Sequence, residues 1–157
     1  MSVKDLNKLK DILKSVKKFA VLGVGNPLMG DDSVGSFIAE NLKDKIDAPV
    51  FVGEDVPENY LYDIIREEPE ILLVIDAVDF GGKAGEARLI DLEDITPRFL
   101  SSHGMSLNIM ASILKEKGCQ IILLGIQPKK MAFGAEMSEE VMKSSEEILS
   151  LLRSWSG

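Results

Sequence analysis

The chain has 157 residues, 45% of them hydrophobic and 28% charged, with a formal net charge of −8. That length suits one domain, residues 1–157, large enough to bury a core. The acidity argues against nucleic acid as the main partner, because phosphate binding needs a cationic footprint, and the single cysteine, Cys119, excludes an internal disulfide or a thiolate zinc cluster.

In chain order, Leu6, Leu9, Leu13 and Val16 recur at three- and four-residue spacing, which predicts an amphipathic opening helix within a lysine-rich extension, residues 1–18. That start lacks the apolar core of a secretory signal, and the longest apolar runs fall far short of the ~20 residues a membrane span needs, so no membrane insertion and a cytoplasmic location are expected. FAVLGV reads as a buried strand, SVGSFIAENLKDKI as a helix with Val34, Phe37, Ile38 and Leu42 inward, and PVFVG as a second strand. PENYLYDIIREE predicts a helix with Pro57 at its first position. EILLVIDAV is apolar throughout, as a parallel strand buried on both faces is. GGKAG is a turn, and EARLIDL an edge strand, either parallel or antiparallel. A helix stopped by Gly118, the strand CQIILLGI and a closing helix capped by Ser138 complete the chain. Strands alternating with helices in this way predict an α/β fold: a doubly wound, mostly parallel sheet of about five strands with helices on both faces.

The loop after the first strand, LGVGNPLMGDDSVG, resembles a dinucleotide-binding turn only in Gly23 and Gly25; the third glycine position holds Leu28. Asp31 and Asp32 at the start of the next helix would repel a pyrophosphate. One of the two suffices as a helix cap, Asn26 can brace the loop through local bonds or donate to an oxyanion, and the other aspartate is left for chemistry.

Ligands in open α/β sheets bind outside the carboxyl ends of the strands. There the first strand leads to Asp31 and Asp32, the third runs into Asp76, and the loop before the next long helix carries His103, the only histidine. A carboxylate directly after a buried strand is costly to keep unless an ion or partner offsets its charge. Two carboxylates and an imidazole suit a divalent ion such as zinc, nickel, iron or manganese, which would polarise a carbonyl and activate water.

With those residues in place, the chain resembles the [NiFe]-hydrogenase maturation endopeptidases of the hydrogenase 3 type. The resemblance runs from about Phe19 to about Ser138 and rests on ordered blocks: GVGNPLMGDD, PEN at Pro57–Asn59, DAVDFG at Asp76–Gly81, GEARLIDLEDI at Gly85–Ile95, SSHGMSLNIM at Ser101–Met110, and LGIQP at Leu124–Pro128 followed by FGAEMS. It departs from the family at Ser33, where glycine is frequent, and at Gly53-Glu54-Asp55. The resemblance implies an endopeptidase that removes the C-terminal extension of a hydrogenase large-subunit precursor after nickel insertion. It implies that Asp32, Asp76 and His103 contact the metal, and that the nickel arrives with the substrate, zinc or another divalent ion being able to substitute. Asp31 is expected to be a cap or supporting group, and Gln127, with the FGAEM loop, to lie where the precursor passes. The alternative is a non-catalytic nickel-binding chaperone or sensor of the same fold.

Overall fold

A computed structural model describes residues 2–92 and 103–154. Among these residues the α-helices and strands follow one another as α1 (Val3–Lys14), β1 (Phe19–Val24), α2 (Val34–Leu42), β2 (Val50–Glu54), α3 (Leu61–Glu67), β3 (Ile71–Ala77), β4 (Ala87–Ile90), α4 (Gly104–Glu116), β5 (Gln120–Ile126) and α5 (Glu139–Arg153). The strands form one sheet in the order β2-β1-β3-β5-β4. The first four run parallel and β4 lies antiparallel on the edge, as its alternating sequence suggests.

All seven residues of β3 are buried, because both faces of the sheet are covered. One face packs Ile71, Leu73 and Ile75 with Leu9 of α1, Ile38 of α2 and Ile148 of α5. The other packs Leu72 and Val74 with Ile64 of α3 and Leu107, Met110 and Leu114 of α4. Side chains alternate across a strand, so Asp76 follows Leu72 and Val74 to the α3/α4 face. The apolar pattern of β3 thus decides which helix its carboxylate meets.

Two glycines let the layers approach at backbone distance. A Cβ on Gly35 would strike the carbonyls of Ile75 and Val24, and one on Gly23 would strike the carbonyl of Gly35. The amino end of α2 therefore sits directly over the carboxyl ends of β1 and β3, next to Asp76.

Several element ends differ from expectation. The opening helix stops at Lys14, with Ser15 as its C-cap, and its Leu9 and Leu13 belong to the core. The second helix stops at Leu42, and Asp44 then turns with φ +63. Pro57 opens a 3-10 turn, Pro57–Tyr60, before α3 begins. The closing helix is capped by Ser138 and ends at Arg153. Cys119 is buried, and burial pushes its thiol up to about 11, a packing residue rather than a nucleophile. No helix among the described residues is long and apolar enough to cross a membrane. Met1, residues 93–95 of the GEARLIDLEDI block and residues 101–102 of the SSHGMSLNIM block lie outside the described residues.

Candidate active site

The loop after β1 is folded back on itself. Gly25, at φ +138, has no room for a Cβ because the carbonyl of Asp32 occupies that space. The Asn26 side-chain oxygen accepts from the Leu28 N–H at 2.9 Å, an Asx turn, while the Asn26 backbone N–H donates to Asp32 Oδ2 at 3.0 Å. Asn26 therefore braces the loop and orients Asp32.

The adjacent aspartates have different surroundings, and neither caps the helix that follows. The N-cap of α2 is Ser33, with no side-chain cap bond, preceded by a 3-10 turn over Gly30–Ser33. Asp31 is wholly buried and accepts four hydrogen bonds. Its Oδ2 takes the N–H groups of Lys129 (2.8 Å) and Lys130 (2.9 Å) and the Ser138 hydroxyl (2.9 Å); its Oδ1 takes the Ser138 N–H (2.7 Å). Asp31 thus ties the β1 loop to the β5–α5 loop and to the start of α5. Asp32, with only the Asn26 N–H donating to its side chain among the hydrogen bonds resolved, keeps coordination capacity that Asp31 has spent.

His103 sits at the N-cap position of α4 and makes no side-chain cap bond, so its ring turns toward the sheet. Its Nδ1 lies 3.5 Å from Asp76 Oδ2, and its Nε2 lies 3.3 Å from Asp55 Oδ1. The two separations are ion-pair distances, longer than a strong charge-assisted hydrogen bond. Burial works against a charged ring, but Asp76, Asp55 and the through-space charge of Asp32 outweigh it and raise the imidazole to about 9. The ring is therefore cationic near neutral pH, and three carboxylates from the β1, β2 and β3 ends act on it together.

The donor types suit a divalent ion once the imidazole is neutral. Among the described residues, no three His, Cys, Asp or Glu side chains stand close enough to cage an ion by themselves. Asp55 was not expected at the site. The only signal for it was that Gly53-Glu54-Asp55 interrupts the family pattern with a carboxylate just past β2.

Gln127 is placed at the exit of β5, where its polar atoms are engaged within the fold. Its Oε1 accepts from the Phe80 N–H (2.9 Å) and Gly82 N–H (3.0 Å), and its Nε2 donates to Asp79 Oδ1 (3.0 Å). Asp79 also accepts from the Gly81 N–H, and the Gln127 bond followed by this one holds its carboxyl below the usual range. Gln127 and Asp79 together shape the turn that follows Asp76. A hollow of about 770 Å³, lined by Lys14, Lys18 and Ile46 among others, lies at the opposite, amino end of the strands and takes no part in this arrangement.

Comparison with known proteins converges on one family. The family model described as hydrogenase maturation protease matches residues 38–155. The hydrogenase 3 maturation protease of Escherichia coli K12 is 37% identical over 140 residues, covering 87% of this chain and 90% of that one. The crystal structure of a [NiFe] hydrogenase maturation protease from Thermococcus kodakarensis superposes with a TM-score of 0.85 at 32% identity, covering 94% of this chain and 97% of that one. A crystal structure of a hydrogenase 3 maturation protease gives 0.78 at 36% identity, over 89% and 92% of the two chains.

Proposed function

Since this chain belongs to the hydrogenase maturation protease family, we propose that it is the endopeptidase that removes the C-terminal extension of a [NiFe]-hydrogenase large-subunit precursor, reading the inserted nickel through Asp32, Asp76 and His103. The nickel is part of the substrate in this reading, and the site acts in the cytoplasm.

The observation that carries the chemical part is the meeting of Asp76 and His103, 3.5 Å apart, at the carboxyl edge of the sheet, with the charge of Asp32 acting on the same ring. Asp76 is wholly buried at the end of an apolar strand, where a carboxylate is stable only against a counter-charge. His103 as its cation fills that role before substrate arrives; substrate-borne nickel takes it over when the ring gives up its proton. Asp32 is already aimed by the Asn26 N–H. A divalent ion held this way polarises the neighbouring peptide carbonyl and lowers the pKa of bound water. The protein's part is to hold the donors at the ends of β1 and β3 and at the start of α4, which would place the scissile peptide beside the ion.

The test is to incubate purified protein with nickel-loaded and with nickel-free precursor and to follow the large subunit by intact mass. Cleavage confined to the loaded form is expected. Equal cleavage of both would refute nickel as the recognised feature.

A further inference from the structure

The exposed large apolar side chains are not scattered over the surface. Among the described residues, all of them lie on segments at the carboxyl edge of the sheet or in the first two turns of helices that begin there. Leu28 is in the β1–α2 loop, with Met131 and Phe133 in the β5–α5 loop; on the other side are Val56 and Tyr62 around the start of α3, and Met105 and Ile109 on α4. Leu28 is 59% exposed, Phe133 75% and Met105 81%. A soluble protein gains nothing in stability from such exposure, and apolar side chains concentrated at one place mark an interaction surface.

The two groups flank the candidate active site. On one side the Gly134 N–H donates to the Leu28 carbonyl (2.8 Å) and the Asp31 N–H to the Lys130 carbonyl (2.8 Å), so Leu28, Met131 and Phe133 stand on two loops fastened to each other. The four bonds to the buried Asp31 carboxylate stiffen the same junction. On the other side Met105 and Ile109, four residues apart, share a face of α4, two and six residues past His103. Val56 follows Asp55, whose carboxylate touches His103. Asp32 belongs to the first side, Asp55 and His103 to the second.

We propose that these two apolar groups are the docking rim for the folded precursor, gripping apolar side chains on either side of the peptide to be cut. This rests on the peptidase reading above, which requires a polypeptide to lie across Asp32, Asp76 and His103 and hence across both groups. Each group adjoins a site residue along the chain, Leu28 four residues before Asp32 and Met105 two after His103, so a chain lying across the site would pass beside both. The rim's separate halves suit a transient complex that releases product, because stable interfaces bury larger contiguous areas around a central anchor. The division of labour assigns affinity to the rim and the choice of when to cut to the ion.

The test measures equilibrium binding of nickel-free precursor to the wild-type protein and to Phe133→Ser and Met105→Ser, so that the rim rather than the ion carries the affinity. Both side chains are exposed, and thermal unfolding within about 2 °C of wild type would verify that the fold is kept. Each variant is expected to bind about tenfold more weakly, the size of losing one buried apolar anchor, and the double variant more weakly still. Unchanged binding in both variants would overturn the rim, whatever the cleavage result. Absence of cleavage of nickel-loaded precursor by the wild-type protein would instead sink the peptidase reading and leave the binding result standing. Absence of binding by the wild-type protein would overturn the rim. Sedimentation velocity of the protein alone covers the remaining occupant: a dimer abolished by Phe133→Ser would mean that a second copy, not the precursor, fills the rim.

Discussion

The adjacent aspartates of the first loop can be separated by two substitutions of identical chemistry. In Asp31→Asn the amide oxygen can take the place of Oδ2 and keep three donors, Lys129 N–H, Lys130 N–H and the Ser138 hydroxyl. The new NH2 group then faces the Ser138 N–H, donor against donor, where a 2.7 Å bond existed. Losing a bond to a charged acceptor costs about 1.5–3 kcal/mol. The three that remain become neutral and fall to about half their strength, a further ~0.5–1 kcal/mol each. The sum is about 3–6 kcal/mol, or a fall in Tm on the order of 10–20 °C for a domain of this size. In Asp32→Asn the amide oxygen still accepts from the Asn26 N–H, so the loss is under about 1 kcal/mol, while the carboxylate proposed to meet the substrate's nickel loses its charge. Calorimetry and precursor cleavage measured side by side should show Asp31→Asn strongly destabilised and Asp32→Asn folded but inactive. An Asp32→Asn protein that cleaves like wild type, or an Asp31→Asn protein of unchanged Tm, would refute the division of roles.

Three further outcomes follow from the same geometry. His103 has its imidazole raised to about 9 from an ordinary 6.5, so its contribution to stability, at most about 3 kcal/mol, is fully present below pH ~6.5 and is lost as pH rises through 9. Chemical denaturation from pH 6 to 10 should show wild type losing its advantage over His103→Gln across that interval; a constant difference would contradict the charged ring. Asp55→Asn should lower cleavage by up to about tenfold while leaving Tm nearly unchanged, because a half-exposed carboxylate 3.3 Å from Nε2 orients the ring more than it stabilises the fold; a collapse of Tm would make its role structural. Gly35→Ala should give little or no folded protein, since the added Cβ meets two strand carbonyls, and a soluble, active product would show that α2 can lift from the sheet.

Much of the fold was legible because β3 and β5 carry long apolar runs and β4 alternates. Burial on both faces and parallel pairing follow from the continuous apolar runs, and the edge position of β4 from its alternation. The element ends were less legible, since α2 stops at Leu42 where Lys43 turns to an extended ψ of 128 and Asp44 follows at φ +63, a break that composition does not announce. The site was readable as a set of residue types at strand ends and only partly as contacts. That Asp76 faces α4 was implicit in the parity of β3. The role of Asp31 was hidden because its donors lie 98 to 107 residues away. Asp55 was hidden because its partner His103 lies 48 residues on, across an exposed turn. Gln127, expected to face the precursor, spends its amide on the turn after β3, a pairing over 45 to 48 residues that only the folded chain reveals.

Asp76 is the buried carboxylate that meets His103. Intact-mass spectrometry of the hydrogenase large subunits from cells whose only copy of this protein carries Asp76→Asn tests its role directly, with immunoblotting to verify that the variant accumulates. One large subunit should remain at its precursor mass, longer by its C-terminal extension, while wild-type cells hold the trimmed form. A fully trimmed pool in cells that contain the variant would contradict the central claim.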